Sequence, residues 1–490
     1  MMWLSGLMFA MFAAAMVASS ARWLRIAQRE HYLPGSVTRF MVRWWAVRPV
    51  NAGLFLVAFL AALDERTGLL ALAVAVVAPV GLSLRGRTGP LAWTARLRRL
   101  AAAEAVLATA ALAVWPRLLW IIPLVGPLVV DSALVLLRPV EDRLGRKWVD
   151  RAGAVLERSG ARVVAITGSY GKTSTKGYLA ALLGGVTSVV ASPASFNNRM
   201  GLARAINEHL GAGTDVFIAE MGTYGPGEIR AICEWIRPEV GVITAIGPVH
   251  LERMRTEENI AAAKREILER ARIGVLNIDH PLLAEMAGEE LPVEQLITCS
   301  GADPDADVLA NAETGELVWR GDVVGSFDAA TALAGNVACA VAAAIALGFD
   351  PARFLTEPLS LPVAPHRLTV MESERGFEVV DDTFNSNPAG ARAGLAALLN
   401  RAAAGRRVMV TPGMVELGRR QATENEALAA LAAKAGVETV AVGRTNRRSL
   451  RAGGAVIVFE TRPQAVAWVR ENLGPGDAVL YENDLPDHYP

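Results

Sequence analysis

The sequence predicts an α/β protein in which N-terminal transmembrane helices precede two α/β units, a central P-loop domain and a C-terminal Rossmann-like domain. Three observations carry this reading. Five apolar runs crowd the chain before residue 138, and short β-rich runs alternate with helical patterns from residue 160 onward. Residues 165–176 (AITGSYGKTSTK) then read as a strand running into a phosphate-cradling loop and a helix.

The bulk composition sets the limits. At 490 residues the chain holds about three domains on the usual size scale. Lys+Arg and Asp+Glu both number 49, so no global field attracts nucleic acid, and none is expected as a partner. The apolar content of 52% and mean hydropathy of +0.31 are high for a soluble enzyme, and the excess sits at the N-terminus. Cys233, Cys299 and Cys339 show no zinc or disulfide spacing, which indicates a reducing compartment and small core residues.

The apolar runs lie at about 2–19, 50–63, 68–84, 100–115 and 118–137. The first lacks the basic start and cleavage site of a signal peptide. The runs at 50–63 and 100–115 fall short of the roughly 20 residues of a straight span, so each needs flanking apolar residues or local thinning. Basic residues cluster in 22–48, in 85–99 and after 138, whereas the turns Asp64-Glu65-Arg66 and Pro116-Arg117 are nearly neutral. The positive-inside rule then gives five spans, an outside N-terminus and a cytoplasmic chain after residue 138. The alternative is a hydrophobic bundle lying on the membrane. Glu104 and Asp131 fall inside runs but near their ends, which favours snorkelling or pairing over a pathway role.

In the soluble part, strands are expected at 162–167, 215–220, 240–245 and 273–278, with helices at 173–184, 201–210, 226–236 and 257–272. A second set follows Pro362: strands at 367–371, 377–382, 406–411, 438–442 and 477–481, and helices near 388–401 and 421–435. The stretch 358–365 (PLSLPVAP) reads as a hinge. The expected units are therefore 1–147, 148–361 and 362–490.

Chemistry concentrates at the strand ends. In Gly168-Ser169-Tyr170-Gly171-Lys172-Thr173-Ser174 the glycines let backbone amides converge on phosphate oxygens, and the following helix adds its positive end. Lys172 would neutralise the β- and γ-phosphates of ATP, and the Thr173 hydroxyl would sit on Mg²⁺. Position 166 is Ile, so this is a short G-x-x-G-K-T form of the loop. Glu220 closes the apolar strand DVFIAE, where a carboxylate either ligates the nucleotide's magnesium or caps a turn. His250 follows the strand VGVITAI at the same sheet edge, and Lys264 would ordinarily be a solvated charge. In the second unit Arg367 has the planar fork of a phosphate clamp. Asp381, Asp382 and Asn385 lie in DDTFNSNP, which also has the form of a helix cap before Pro388.

Together these residues resemble the Mur ligase family of amide-bond-forming enzymes. TGSYGKTSTK, SFNNRMG (195–201), AEMG, PGEI (226–229), IGPVHLE (246–252), AAAKREI (261–267), DDTFNSNP (381–388) and GMVELG (413–418) look like the branch that adds D-Ala-D-Ala to a UDP-MurNAc tripeptide in peptidoglycan synthesis. The resemblance spans about 160–485 and implies a Mur ligase central domain and C-terminal domain. It further implies that ATP phosphorylates a carboxylate and that an amine attacks the acyl phosphate. Thr173 and Glu220 would hold one Mg²⁺; His250 and a carbamylated Lys264 would place a second. Asn336 would contact adenine, while Arg367, Asp381, Asp382 and Asn385 would close over the nucleotide. The implied partners are a sugar-peptide or other small-molecule acyl substrate, a dipeptide or amino-acid amine, and the membrane. The expected location is the cell membrane, with the catalytic domains cytoplasmic.

Three departures stand out. Membrane spans occupy the place of the family's small soluble N-terminal domain. Gly335 precedes Asn336 where the family has His, and Cys339 stands where a second Asn is common. The end reads LYENDLPDHY (480–489) without a Lys-Gly-Ser-Arg-type segment. A lipid-linked precursor or another wall or capsule polymer, such as a poly-glutamate, therefore stays open as the substrate. An ATP-driven transporter is disfavoured, because no ABC signature or apolar run ending in Asp follows the loop. An inert scaffold would have no use for Lys172, Thr173, Glu220, His250, Lys264 and Arg367.

Overall fold

A computed structural model of the chain describes residues 2–84, 91–193, 196–249, 251–329, 332–351, 361–362, 368–383, 386–401, 405–485 and 489, with residues 2–5 by backbone alone.

Among the described residues six α-helices build the N-terminal unit: α1 (Met2–Arg29), α2 (Ser36–Val47), α3 (Pro49–Ala61), α4 (Gly68–Val77), α5 (Ala95–Val114) and α6 (Gly126–Ser159). Their inner faces meet around Trp23, Phe40, Trp44, Leu97, Leu100 and Val130. Leu7, Phe9, Val17, Leu56, Val106 and Val114 face outward and exposed, an apolar exterior that water does not favour.

The five expected runs do not become five straight helices. Among the described residues one helix is long and apolar enough to cross a membrane, over Gly6–Arg29. The pair α2 and α3 passes the same test jointly but bends by 114° at Arg48. The run at 68–84 is helical only to Val77, and the run at 118–137 opens in a 3-10 turn at Pro116–Trp120 and becomes α-helical only from Gly126.

Buried polar groups in this unit satisfy helix ends. Asp131 of α6 accepts from the backbone N–H of Gly35, Val37 and Thr38 and from the Thr38 hydroxyl, at 2.6–3.3 Å, which caps the N-terminus of α2. Arg22 donates to the carbonyls of Ala75, Val76, Val77 and Ala78, the open end of α4. Glu104 accepts from Ser20 Oγ at 2.8 Å. Both acidic residues are thus paired.

Helix α6 runs 34 residues without a break, past Pro139 and through the expected boundary at 147. Val130, Ala133 and Leu134 join the N-terminal core. Val149, Ala152 and Leu156 of the same helix join the core beneath the central sheet.

The central sheet contains β1 (Arg162–Thr167), β2 (Val189–Ala191), β3 (Val216–Glu220), β4 (Val240–Ile243), β5 (Ile273–Asn277), β6 (Gln295–Ser300), β7 (Val308–Ala310), β8 (Glu316–Trp319) and β9 (Asp322–Ser326). Its order is β2-β3-β1-β4-β5-β6-β7-β8-β9. Strands β2 through β7 pair in parallel, and β8 and β9 extend the sheet antiparallel. Hydrophobic clusters lie on both faces, as a parallel sheet requires.

The second sheet contains β10 (Thr369–Glu372), β11 (Glu378–Asp382), β12 (Arg407–Thr411), β13 (Glu438–Val442), β14 (Ile457–Phe459) and β15 (Ala478–Glu482), in the order β10-β11-β15-β12-β13-β14. Among the described strands of this sheet β10 alone runs antiparallel. The expected hinge at 358–365 falls mostly outside the described residues.

Candidate functional site

Strand β1 lies between β3 and β4, so the loops leaving these three strands share one sheet edge, where open α/β sheets take ligands. The loop after β1 enters α7 (Lys172–Gly184) through Gly171 at φ 85. A Cβ there would lie 2.3 Å from Asn336 Oδ1, and one at Gly168 would lie 2.0 Å from Thr244 Oγ1. Both glycines are required by close approach. Thr244 donates to the carbonyls of Thr167 and Tyr170, while Ser169 Oγ accepts from Gly247 N–H, so the loop after β4 braces the loop after β1.

Lys172 Nζ donates to the carbonyls of Gly168 (2.6 Å) and Ser169 (3.4 Å). Thr173 Oγ1 donates to Glu220 Oε2 at 3.1 Å, and Asn197 Nδ2 donates to Oε1 at 3.3 Å. The same carboxylate faces Lys176 Nζ at 2.8 Å, one turn beyond Lys172. Lys176 and Glu220 are both buried. Burial alone would raise the Glu220 pKa, but the ammonium of Lys176 and then that of Lys172 hold it below the ordinary carboxylate value. The site thus places an ionised carboxylate and a hydroxyl side by side, hard oxygen donors that suit Mg²⁺.

Lys264, on the helix Glu257–Arg265, is 3% exposed rather than solvated. Burial first, and the charge of Lys172 second, push its ammonium well below the ordinary lysine value. Disfavouring the ammonium favours the amine form, which is the form open to carbamylation. His250, Arg367 and Asn385 lie outside the described residues.

Asn336 is buried against Gly171, with its backbone carbonyl 3.5 Å from Thr175 Oγ1. Gly335 is packed just as tightly: a Cβ there would come within 2.8 Å of Asp279 Oδ2 and Asn277 Nδ2. In the second unit the Asp381 carboxylate accepts from Thr383 N–H and Oγ1, and the Asp382 carbonyl accepts from Asn483 N–H. The two units touch where Arg420 pairs with Glu257 and where Gly418 packs on Leu251.

The sequence reading missed Lys176, Asn197, Thr244 and Asp279. For Lys176 a signal existed, since a lysine four residues after Lys172 shares its helix face. Thr244 and Asp279, which accepts from Ser300 Oγ and Gly301 N–H, carry no motif that sets them apart.

The N-terminal unit docks beside this edge. Glu30 pairs with Arg43 and with Arg253, and Arg43 also pairs with Glu252. His31 Nε2 and Tyr224 Oη lie 3.2 Å apart.

Comparison with known proteins agrees with this geometry. Residues 166–347 match the model of the Mur ligase middle domain, and residues 366–481 match that of the Mur ligase, glutamate ligase domain. The UDP-N-acetylmuramoyl-tripeptide--D-alanyl-D-alanine ligase of Mycobacterium bovis is 31% identical over 382 residues, which cover 68% of this chain and 72% of that protein. The Bacillus subtilis enzyme of the same name is 27% identical, covering 68% and 75%. Among solved structures, the MurF ligase from Thermotoga maritima in complex with ADP aligns with a TM-score of 0.59 at 23% identity, covering 69% of this chain and 80% of that one.

Proposed function

The chain belongs to the Mur ligase family, and on that premise we propose that it is a membrane-attached ATP-dependent ligase. It would join D-Ala-D-Ala to a UDP-MurNAc-tripeptide-type carboxylate in peptidoglycan synthesis. The observation that carries this is the cluster at the β1–β3 edge, where Lys172, Thr173, Lys176 and Glu220 meet.

The chemistry follows from positions and charges. ATP transfers its γ-phosphoryl to the acyl substrate's carboxylate, the neutral amine attacks the acyl carbon and gives up a proton, and phosphate leaves with the electron pair of the broken C–O bond. Little covalent work falls to the protein, so its contribution is alignment and charge neutralisation. The backbone amides of Gly168–Ser174 and the N-terminus of α7 bind phosphate oxygens, and Lys172 turns from the loop carbonyls to the β- and γ-phosphates. Thr173 and Glu220 would hold one Mg²⁺, and His250 and a carbamylated Lys264 would help place a second; such ions would supply positive charge to offset what builds on the transferring group. Asn336 supports the adenine side, and Arg367, Asp381, Asp382 and Asn385 approach from the C-terminal domain. We assign 1–147 to the membrane unit, 148–361 to the central domain and 362–490 to the C-terminal domain, with α6 belonging to both of the first two.

Attachment to the membrane, with the catalytic domains cytoplasmic, is supported by the apolar exterior of α1–α6 and by the basic character of the sequence over 22–48 and 85–99. The test is phosphate release by the purified full chain. Turnover is expected to require both UDP-MurNAc-tripeptide, or a lipid-linked counterpart, and D-Ala-D-Ala. Release of phosphate without any carboxylate substrate would refute the reading.

A further inference from the structure

A cavity of ≈ 290 Å³ lies between the N-terminal unit and the C-terminal edge of β12, β13 and β15. Val410, Val442 and Tyr481 line it from the second sheet, Trp44 and Arg48 from the N-terminal unit, and Tyr489 also lines it. At roughly the small end of ligand pockets, which run from about 300 Å³ upward, it suits an amino acid or dipeptide and is too small for a nucleotide-linked sugar peptide.

Its charges are unevenly matched. Glu460 on the wall is held by Arg444 (2.8 Å) and Arg447 (2.9 Å), and Asp484 is paired with Arg462. Arg48 makes no ion pair among the described residues, and its Nε is buried without a hydrogen-bond partner. The guanidinium lies 5.8 Å over the Trp44 ring. Gly81, at φ +88, leaves it room, since a Cβ there would lie 2.5 Å from Nη1. The elbow between α2 and α3 thus presents a fixed planar cation to a cavity in the soluble part of the chain, and such a fork suits a carboxylate.

Contacts run from the cavity wall to the DDTFNSNP segment and to the residues after β4. Asn483 on its wall donates its N–H to the Asp382 carbonyl, and Tyr489 lies under Arg43, which pairs with Glu252. We propose that this cavity binds the amine substrate by its carboxylate, with Arg48 of the membrane unit as the counter-charge. Amine recognition is then shared between the membrane unit and the C-terminal domain. The proposal rests on the ligase reading above.

The test uses the full chain in nanodiscs with saturating acyl substrate, comparing D-Ala-D-Ala with its C-terminal amide. One charge-assisted hydrogen bond is worth about 1.5–3 kcal/mol, so Arg48→Gln is expected to raise the KM for D-Ala-D-Ala about 10- to 100-fold. The KM for ATP stays as in the parent, which shows that the variant is folded. The parent favours the free acid over the amide, Arg48→Gln does not discriminate, and Arg48→Lys falls between. Gly81→Ala, which displaces the guanidinium without removing it, moves the amine KM in the same direction. Parent-like amine KM and discrimination in Arg48→Gln would overturn the site while leaving the ligase intact. Calorimetry separates the other case: Arg48-dependent binding of D-Ala-D-Ala with no ligation by the parent overturns the ligase reading and keeps the site.

Discussion

Replacing Lys176 with Met removes the buried cation that faces Glu220 and leaves the carboxylate with Thr173, Asn197 and the more distant Lys172. Breaking a buried pair by removing one partner destabilises by about 3–5 kcal/mol. The two remaining hydrogen bonds place this case near about 3 kcal/mol. For a unit the size of the central domain that corresponds to a loss of roughly 6–12 °C in Tm. The pH dependence fixes the cause. In the parent, Glu220 has a folded pKa below 4.5, so its contribution is present above the unfolded value and is lost as pH falls through the folded one. In the variant, burial prevails and the folded pKa rises above 4.5, so Glu220 opposes folding increasingly as pH rises. The Tm deficit should therefore shrink as pH is lowered from about 7.5 to about 5.5. The double variant Lys176→Met/Glu220→Gln carries no orphaned charge and should recover most of the stability without recovering ligation. Thermal unfolding of the parent and both variants across pH decides the matter. A pH-independent deficit, or a double variant no more stable than the single one, would refute the electrostatic account.

Other perturbations probe separate parts of the site. Lys172→Ala should abolish ATP-dependent ligation while leaving the Tm as in the parent; retained turnover would sink the loop assignment. Lys264→Ala should be partly rescued by millimolar short carboxylic acids that replace a carbamate, and an absence of rescue at any concentration counts against carbamylation. Glu482, buried and bound by Ser386 and Thr411, has its carboxyl pushed up to about 7 by burial. Its folded pKa exceeds the unfolded one, so stability of the C-terminal domain should fall as pH rises from 4.5 to about 7 and then level off. Glu482→Gln should flatten that slope, as read by urea unfolding at several pH values.

The parts of the molecule legible in the sequence were those where one local pattern suffices. The loop 168–174, Glu220 at the end of β3 and the parallel alternation through β5 follow from strand ends and glycine positions. Lys264 was legible only as a solvated charge or through its family likeness, because nothing local announces that a helix face will be covered. The Lys176–Glu220 pair joins residues far apart in the chain, and no spacing rule reports it. The ribbon β8–β9 and the three-residue β2 are too short or too exposed to show an alternating signal. Helix ends in the N-terminal unit were misjudged for another reason. Hydropathy reports surroundings, and α6 changes surroundings near Arg138 without changing its backbone.

That uninterrupted helix has a mechanical consequence. At about 1.5 Å per residue, its 34 residues form a rod of roughly 51 Å, one end clamped among α2 and α5 and the other beneath the sheet that bears the nucleotide loop. A rod seated in two cores transmits position and does not act as a tether. Anchored in a bilayer, the loop would keep a fixed height and heading, so reactants would be met in a thin layer beside the lipid surface. Opening and closing around ATP would then fall to the C-terminal domain, swinging against a stationary frame.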